Sequence, residues 1–276
     1  MRNKVTSRTL RKMKKKGEKI AAITSYDYLS TRMIDDTGID FILVGDSLGM
    51  VVMGYQNTLP VTMEDVLHHL KAVTRAKPSA FVAADMPFMS YQASVEEAVR
   101  NAGRLVKEGG AEGVKLEGGA QTVKAIRKIV DASIPVVGHI GLTPQSLHQF
   151  GGYRVQGKNR ESAGRLLEDA VSLEEAGCCC IVVEGVPWQV AEEITGSVGI
   201  PTIGIGAGKY CDGQVLVIQD MLGINEIELP RFVKTYENMG ERMKTAIQSY
   251  VREVKEGKFP GMEHSYSANK SGRDGR

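Results

Sequence analysis

Charged and imidazole side chains stand where short apolar runs stop. Val44-Gly45 leads into Asp46, Ala83-Ala84 into Asp85, Val114-Lys115-Leu116 into Glu117, Val137-Gly138 into His139, and Val182-Val183 into Glu184. Carboxylates delivered by three neighbouring runs repel one another unless a cation lies between them, and an all-oxygen donor set suits Mg²⁺ rather than Zn²⁺. Mg²⁺ also keeps positions open for water or substrate oxygens. The plain alternative is that Asp46, Asp85 and Glu117 each cap the next helix or pair with a basic residue at the rim; three in succession favour the metal. Lys115 and Glu117 are two apart and on a strand share a face, so an ammonium stands beside the acidic cluster. It is placed either to orient a substrate carboxylate or enolate oxygen, or to form an internal ion pair. Glu184, one run farther on, has the position of a general base facing the same cavity, with a structural hydrogen bond to a loop as the alternative. His139 alone would read as a hydrogen-bonded core histidine; its place at a strand end brings it into the candidate site.

Other eye-catching residues carry less. His68 and His69 are adjacent in a helical pattern and face different directions, which favours a surface role over metal binding. Cys178, Cys179 and Cys180 are consecutive, so on a strand they alternate between faces and cannot form a CxxC pair; buried reduced thiols are the reading.

The elements that must position these residues alternate. Strand-like runs are expected at about 20–26, 41–45, 81–85, 113–116, 135–140, 179–184, 201–206 and 215–219, the last being the weakest. Between them, 63–76, 94–107, 121–131 and 160–176 carry apolar residues at spacings of three and four. Eight β/α repeats in a chain of roughly 250 residues is the arithmetic of a TIM (β/α)8 barrel, whose reaction site lies at the C-terminal ends of the strands. An open doubly wound sheet would usually announce itself with G-x-G-x-x-G after its first strand, and here that strand ends in Thr24-Ser25-Tyr26-Asp27. The stretch Gly204-Ile205-Gly206-Ala207-Gly208 is either a phosphate-binding loop or a set of tight turns. A single catalytic domain over 1–262 is expected, with helices from about 231 to 255 closing the barrel or serving an interface. A polar tail over 263–276 is expected to be disordered.

The whole chain has 276 residues, with 35 Lys and Arg against 33 Asp and Glu, a net charge of +2 that argues against nucleic acid as the main partner. No apolar run reaches the ~18 residues of a membrane span, and the N-terminus lacks the apolar core of a secretory signal. Its basic residues, from Arg2 to Lys16, read as a solvated first helix rather than a targeting peptide.

Longer stretches resemble the ketopantoate hydroxymethyltransferase family. They are Ile23 to Asp27, Val44 to Met50, Gly54-Tyr55 with Thr58 to Thr62, Ala84 to Phe88, Val114 to Gly119, Gly138 to Gln145, Glu184 to Pro187, and Ile203 to Gly208. The similarity runs from about Thr6 to Pro260. It implies a Mg²⁺-dependent TIM barrel that moves a hydroxymethyl group from 5,10-methylenetetrahydrofolate to 3-methyl-2-oxobutanoate, giving 2-dehydropantoate on the route to pantothenate and coenzyme A. It also implies a cytoplasmic homo-oligomer, a decamer, binding neither nucleic acid nor membrane. Matched position by position, Asp46, Asp85 and Glu117 correspond to the metal site, and Ser47 and Lys115 to oxo-acid contacts. Asp46 and Asp85 also take part in substrate binding, Glu184 corresponds to the proton acceptor, and His139 to a further active-site residue. The competing enzyme class is the Mg²⁺-dependent phosphoenolpyruvate mutase and isocitrate lyase group, whose members usually carry a Lys-Lys-Cys-Gly-His type loop that this chain lacks. A non-catalytic oxo-acid or folate sensor is the third reading, and it has no need of a base at Glu184.

Overall fold

A computed structural model describes residues 3–225 and 229–267. These group into two compact units, Met1–Ile218 with Leu229–Val233, and Gln219–Glu228 with Lys234–Arg276, each as far as it is described.

The first unit is a barrel of eight parallel strands: β1 (Ile20–Thr24), β2 (Phe41–Val44), β3 (Phe81–Asp85), β4 (Gly113–Glu117), β5 (Val136–Gly141), β6 (Cys180–Glu184), β7 (Thr202–Ile205) and β8 (Gly213–Leu216). Each strand pairs with the next and β8 closes on β1, so the TIM-barrel expectation is borne out. The strand runs read as continuous apolar segments because both faces are covered, one by the barrel interior and the other by helices. Inside lie Ala22, Phe41, Leu43, Phe81, Ala83, Val137, Cys180, Val182, Ile203 and Val215.

Helix α1 (Ser7–Lys16) precedes the barrel, opened by the Thr6–Thr9 capping box and ended by Gly17 at φ 70°. It is less solvated than its charge suggests: Val5 and Leu10 join the interior cluster, Met13 packs against it, and Lys14 lies 2.9 Å from Asp212. The outer helices are α2 (Tyr28–Asp35), α3 (Met63–Arg75), α4 (Val95–Lys107), α5 (Val123–Asp131), α6 (Arg160–Glu175) and α7 (Trp188–Ser197). Side chains of Asp27, Thr62, Ser94 and Asn159 cap the first turns of α2, α3, α4 and α6.

All four cysteines are buried and free. In the glycine-rich stretch, Gly204 and Ile205 end β7 and the chain then turns: Gly208, at φ 78°, lies where a Cβ would strike Trp188. Gly206 lies against the Phe232 ring.

In the second unit, helix α8 (Met239–Lys255) buries none of its residues. Helix therefore begins later than the expected 231. A 3-10 turn spans Met262–His264, and positions 268–276 of the expected disordered tail lie outside the described residues. No described helix is long and apolar enough to cross a membrane.

Candidate active site

Strand register delivers the charged residues in adjacent pairs. Asp85 on β3 lies beside Lys115 on β4, Glu117 beside His139 on β5, and Gly141 beside Glu184 on β6. Lys115 and Glu117 point the same way because they are two apart. At the end of β5 the backbone must turn at φ 95°, and a Cβ on Gly141 would overlap the carbonyl of Glu184, so only glycine lets these two strand ends approach.

The structure brings together all the residues singled out in the sequence. Lys115 Nζ lies 3.2 Å from Asp85 Oδ1 and 3.7 Å from Glu117 Oε1. His139 lies between two carboxylates, with Nδ1 3.4 Å from Glu117 Oε1 and Nε2 3.2 Å from Glu184 Oε2. The Asp46 N–H donates to Asp85 Oδ2 at 3.0 Å, which ties β2 to β3. Ser47 Oγ is 2.8 Å from the Tyr26 hydroxyl, and the Tyr26 carbonyl is held in turn by His69 Nδ1 at 2.8 Å. The His69 contact is structural, and His68 is exposed. Glu184 is the most open of the acidic groups, 16% exposed against 3–4% for Glu117 and Asp85.

Three residues that strand-end reasoning did not single out complete the site. Gln145, in the 3-10 turn Pro144–Ser146 after β5, donates its backbone N–H to Glu117 Oε2 at 2.9 Å and its side-chain Nε2 to Asp46 Oδ2 at 2.8 Å. Tyr91 donates its hydroxyl to Gln145 Oε1 at 2.8 Å and accepts the Glu117 N–H at 3.1 Å. Tyr26 is the third. Gln145 and Tyr91 come from loops, and of the three Gln145 and Tyr26 fall inside stretches that carried the family resemblance.

Electrostatics describe a site with an excess of negative charge. Burial, then the charges of Asp85 and Glu117, hold Asp46 well above the usual carboxylate range. Burial likewise raises Asp85, against the opposing pull of Lys115 and the Asp46 N–H. Burial acts upward on Glu117 too, but the His139 contact, Lys115 and the Gln145 N–H outweigh it and leave it lowered. Lys115 is raised: burial pulls it down, and Asp85, Glu117, Asp46 and Glu184 more than offset that. For His139, burial and Lys115 act downward while Glu117 and Glu184 lift it to about 9. In the protonated ring, Nδ1–H faces Glu117 and Nε2–H faces Glu184. The 3.1 Å approach of Lys115 Nζ to His139 Nδ1 becomes a hydrogen bond only when the ring is neutral and accepts there.

Four carboxyl groups thus face one ammonium and one imidazolium, so full ionisation of the cluster would leave two negative charges uncompensated; with burial, this is why Asp46 and Asp85 resist ionisation. Asp85 Oδ1 and Glu117 Oε1 are buried and are met only by the ion-pair contacts of Lys115 and His139. Both features fit a divalent cation bound through oxygen. Among the described residues no three His, Cys, Asp or Glu side chains form a ready-made metal cage.

Comparison with known proteins agrees with this architecture. The putative phosphonomutase from Burkholderia cenocepacia J2315 superposes with a TM-score of 0.62 over 91% of this chain and 98% of that one, at 14% identity. A phosphonopyruvate hydrolase, solved in complex with oxalate and Mg²⁺, superposes with a TM-score of 0.58 over 94% and 93%, at 12% identity. At these identities the likeness establishes the fold alone. In sequence, the 3-methyl-2-oxobutanoate hydroxymethyltransferase of Thermoanaerobacter sp. (strain X514) is 56% identical over 270 residues, covering 98% of each chain. The family model for ketopantoate hydroxymethyltransferase matches residues 4–262. The chain is therefore an enzyme of the ketopantoate hydroxymethyltransferase family.

Proposed function

We propose that this enzyme adds a hydroxymethyl group from 5,10-methylenetetrahydrofolate to 3-methyl-2-oxobutanoate, giving 2-dehydropantoate for pantothenate and coenzyme A synthesis in the cytoplasm. The observation that carries the reading is the buried strand-end cluster of Asp46, Asp85 and Glu117 around Lys115, beside the more open carboxylate of Glu184. Asp46, Asp85 and Glu117 would hold Mg²⁺. Bound there, the metal supplies a Lewis acid that stabilises negative charge developing on the oxo acid's keto oxygen.

The remaining work falls to the chain's own side chains. Lys115 and Ser47 hold the substrate carboxylate so that C3 faces Glu184, and Tyr26 fixes the Ser47 hydroxyl at 2.8 Å. Glu184 takes the C3 proton, steadied by His139 3.2 Å away. The carbanionic C3 forms its new bond to the methylene carbon of the folate, and both carbon–nitrogen bonds of that carbon are broken in the course of transfer. Water supplies the hydroxyl, and the two folate nitrogens take up the C3 proton and one proton of water as tetrahydrofolate leaves. His139 is within reach to hydrogen-bond that hydroxyl. A homo-oligomer, a decamer, is part of this reading. The phosphoenolpyruvate mutase and isocitrate lyase group shares the barrel, but the 56% identity lies with hydroxymethyltransferases.

The test is solvent exchange. Purified enzyme with 3-methyl-2-oxobutanoate in D₂O should lose the substrate's C3 proton signal with Mg²⁺ and keep it with EDTA. Adding methylenetetrahydrofolate should produce 2-dehydropantoate. Exchange without carbon–carbon bond formation would reject the transfer and retain the enolising site, and absence of any Mg²⁺-dependent exchange would reject both.

A further inference from the structure

Gln145 lies at the centre of the acidic cluster, and its buried side chain has every hydrogen-bonding group matched. Its two amide protons go to Asp46 Oδ2 at 2.8 Å and to the Met86 carbonyl at 3.0 Å. Its oxygen faces two donors, the Tyr91 hydroxyl at 2.8 Å and Gln92 Nε2 at 3.2 Å. Turning the amide over would set its oxygen against a carboxylate and a carbonyl, and its NH₂ against the Gln92 amide. The network therefore admits one orientation, with the donors toward Asp46. The same residue's backbone N–H holds Glu117 Oε2 at 2.9 Å. One residue thus spans two of the three strand-end carboxylates, each through a single oxygen.

Tyr91 makes this arrangement rigid. Besides donating to Gln145 Oε1, its hydroxyl accepts the Glu117 N–H, so a single phenol connects the amide to the strand that carries Lys115 and Glu117. The loop bearing Tyr91 is anchored in turn, since Asn101 on α4 donates to the Ser90 carbonyl at 2.7 Å. The Gln145 amide occupies one oxygen of Asp46, and the Gln145 backbone N–H occupies one oxygen of Glu117, leaving Glu117 Oε1 to the longer contacts of His139 at 3.4 Å and Lys115 at 3.7 Å. In this way the outer partners choose which lone pairs remain for a cation.

We infer that Gln145, locked by Tyr91, is a positioning residue for the divalent-cation site: it fixes the orientation of Asp46 and Glu117 and thereby sets the affinity of the site for Mg²⁺. This rests on the metal reading proposed above. Gln145 need not touch substrate, so its loss should weaken metal binding while excess Mg²⁺ restores kcat.

The test is calorimetric titration of Mg²⁺ into wild type, Gln145→Met and Tyr91→Phe, each freed of metal beforehand and checked as folded by near-UV circular dichroism. Gln145→Met keeps the length and the backbone N–H but loses both amide donors; its Kd for Mg²⁺ should rise about 10- to 100-fold. Tyr91→Phe removes the lock and leaves the amide, so its Kd should rise by a smaller factor, and it serves if Gln145→Met does not fold. Raising Mg²⁺ should bring kcat of a folded variant back toward the wild-type value. A wild-type protein that binds Mg²⁺, with variants that bind it within twofold, would overturn this inference alone. A wild-type protein that binds no Mg²⁺ would overturn the metal reading and this inference together.

Discussion

His139 and Glu184 touch at 3.2 Å but have separable consequences. Among the described residues Glu184 forms no ion pair with Lys or Arg, and it is the most exposed acid of the cluster, so it can take a proton without dismantling the cluster. Glu184→Gln should keep Mg²⁺ and oxo-acid binding while turnover falls by roughly 10²- to 10⁴-fold. C3 exchange in D₂O at the wild-type rate by this variant would remove Glu184 as the base. His139 makes its own mark on stability. Its pKa rises from the ordinary 6.5 to about 9 on folding, so the protonated ring contributes stability that is full below about 6.5 and is lost as pH climbs through about 9. Asp46 and Asp85, both raised, act in the same direction, their protonated forms favouring the metal-free fold and their ionisation opposing it. Wild type in EDTA should therefore melt at progressively lower temperature from pH 6.5 to 9. His139→Asn should flatten that slope, and an unchanged slope would refute the assignment of the imidazolium.

Helix α1 shows how an element can look like surface and act as core. Its lysines and arginines dominate the sequence, yet Leu10 is fully buried beneath the barrel, and the charged stems reach back to the barrel rim through Lys14 and Asp212. Leu10→Ala should lower unfolding free energy by about 2–5 kcal/mol in urea melts. Its kcat should stay near wild type, because the reaction site lies at the opposite end of the strands. A loss below ~1 kcal/mol would mean that α1 is not packed as described. The same contrast explains what was legible beforehand. Strands β2 to β6 are buried on both faces and therefore appear as largely apolar runs, and each carries its acidic or imidazole residue near or just past its end. Strand β8 starts at Gly213, two residues before the expected 215, because a glycine pressed against Ile20 of β1 carries no apolar signal and Gln214 points to solvent. Helix α7 begins after Pro187 without a side-chain cap to announce it. Gln145 and Tyr91 were out of reach of strand-end reasoning because neither lies on a strand, and their role arises only where two loops meet across the barrel mouth.

At the scale of the whole molecule, α8 is the feature that a single chain leaves unresolved. Met243, Ile247, Tyr250, Val251 and Val254 recur at the spacing of one helix face, and Ile247 alone is 58% exposed. Charged Glu241, Arg242, Lys244, Arg252, Glu253 and Lys255 interrupt this apolar set as they would on an amphipathic helix. A helix of about 17 residues is marginal in water without a covered apolar face, and stripes of this kind usually mark a contact between proteins. A second copy of the chain is the occupant consistent with the homo-oligomer proposed above. Ile247→Glu places a charge in the centre of that stripe, where burial without a partner costs several kcal/mol. Wild type should sediment as an assembly of many chains, and Ile247→Glu should shift to smaller species as the protein is diluted. Since none of the strand-end residues lies on α8, the variant should retain Mg²⁺-dependent C3 exchange as long as it stays folded. Wild type sedimenting as a single chain would sink the oligomer reading. A variant that sediments exactly with wild type at every concentration would move the interface to another face of the molecule.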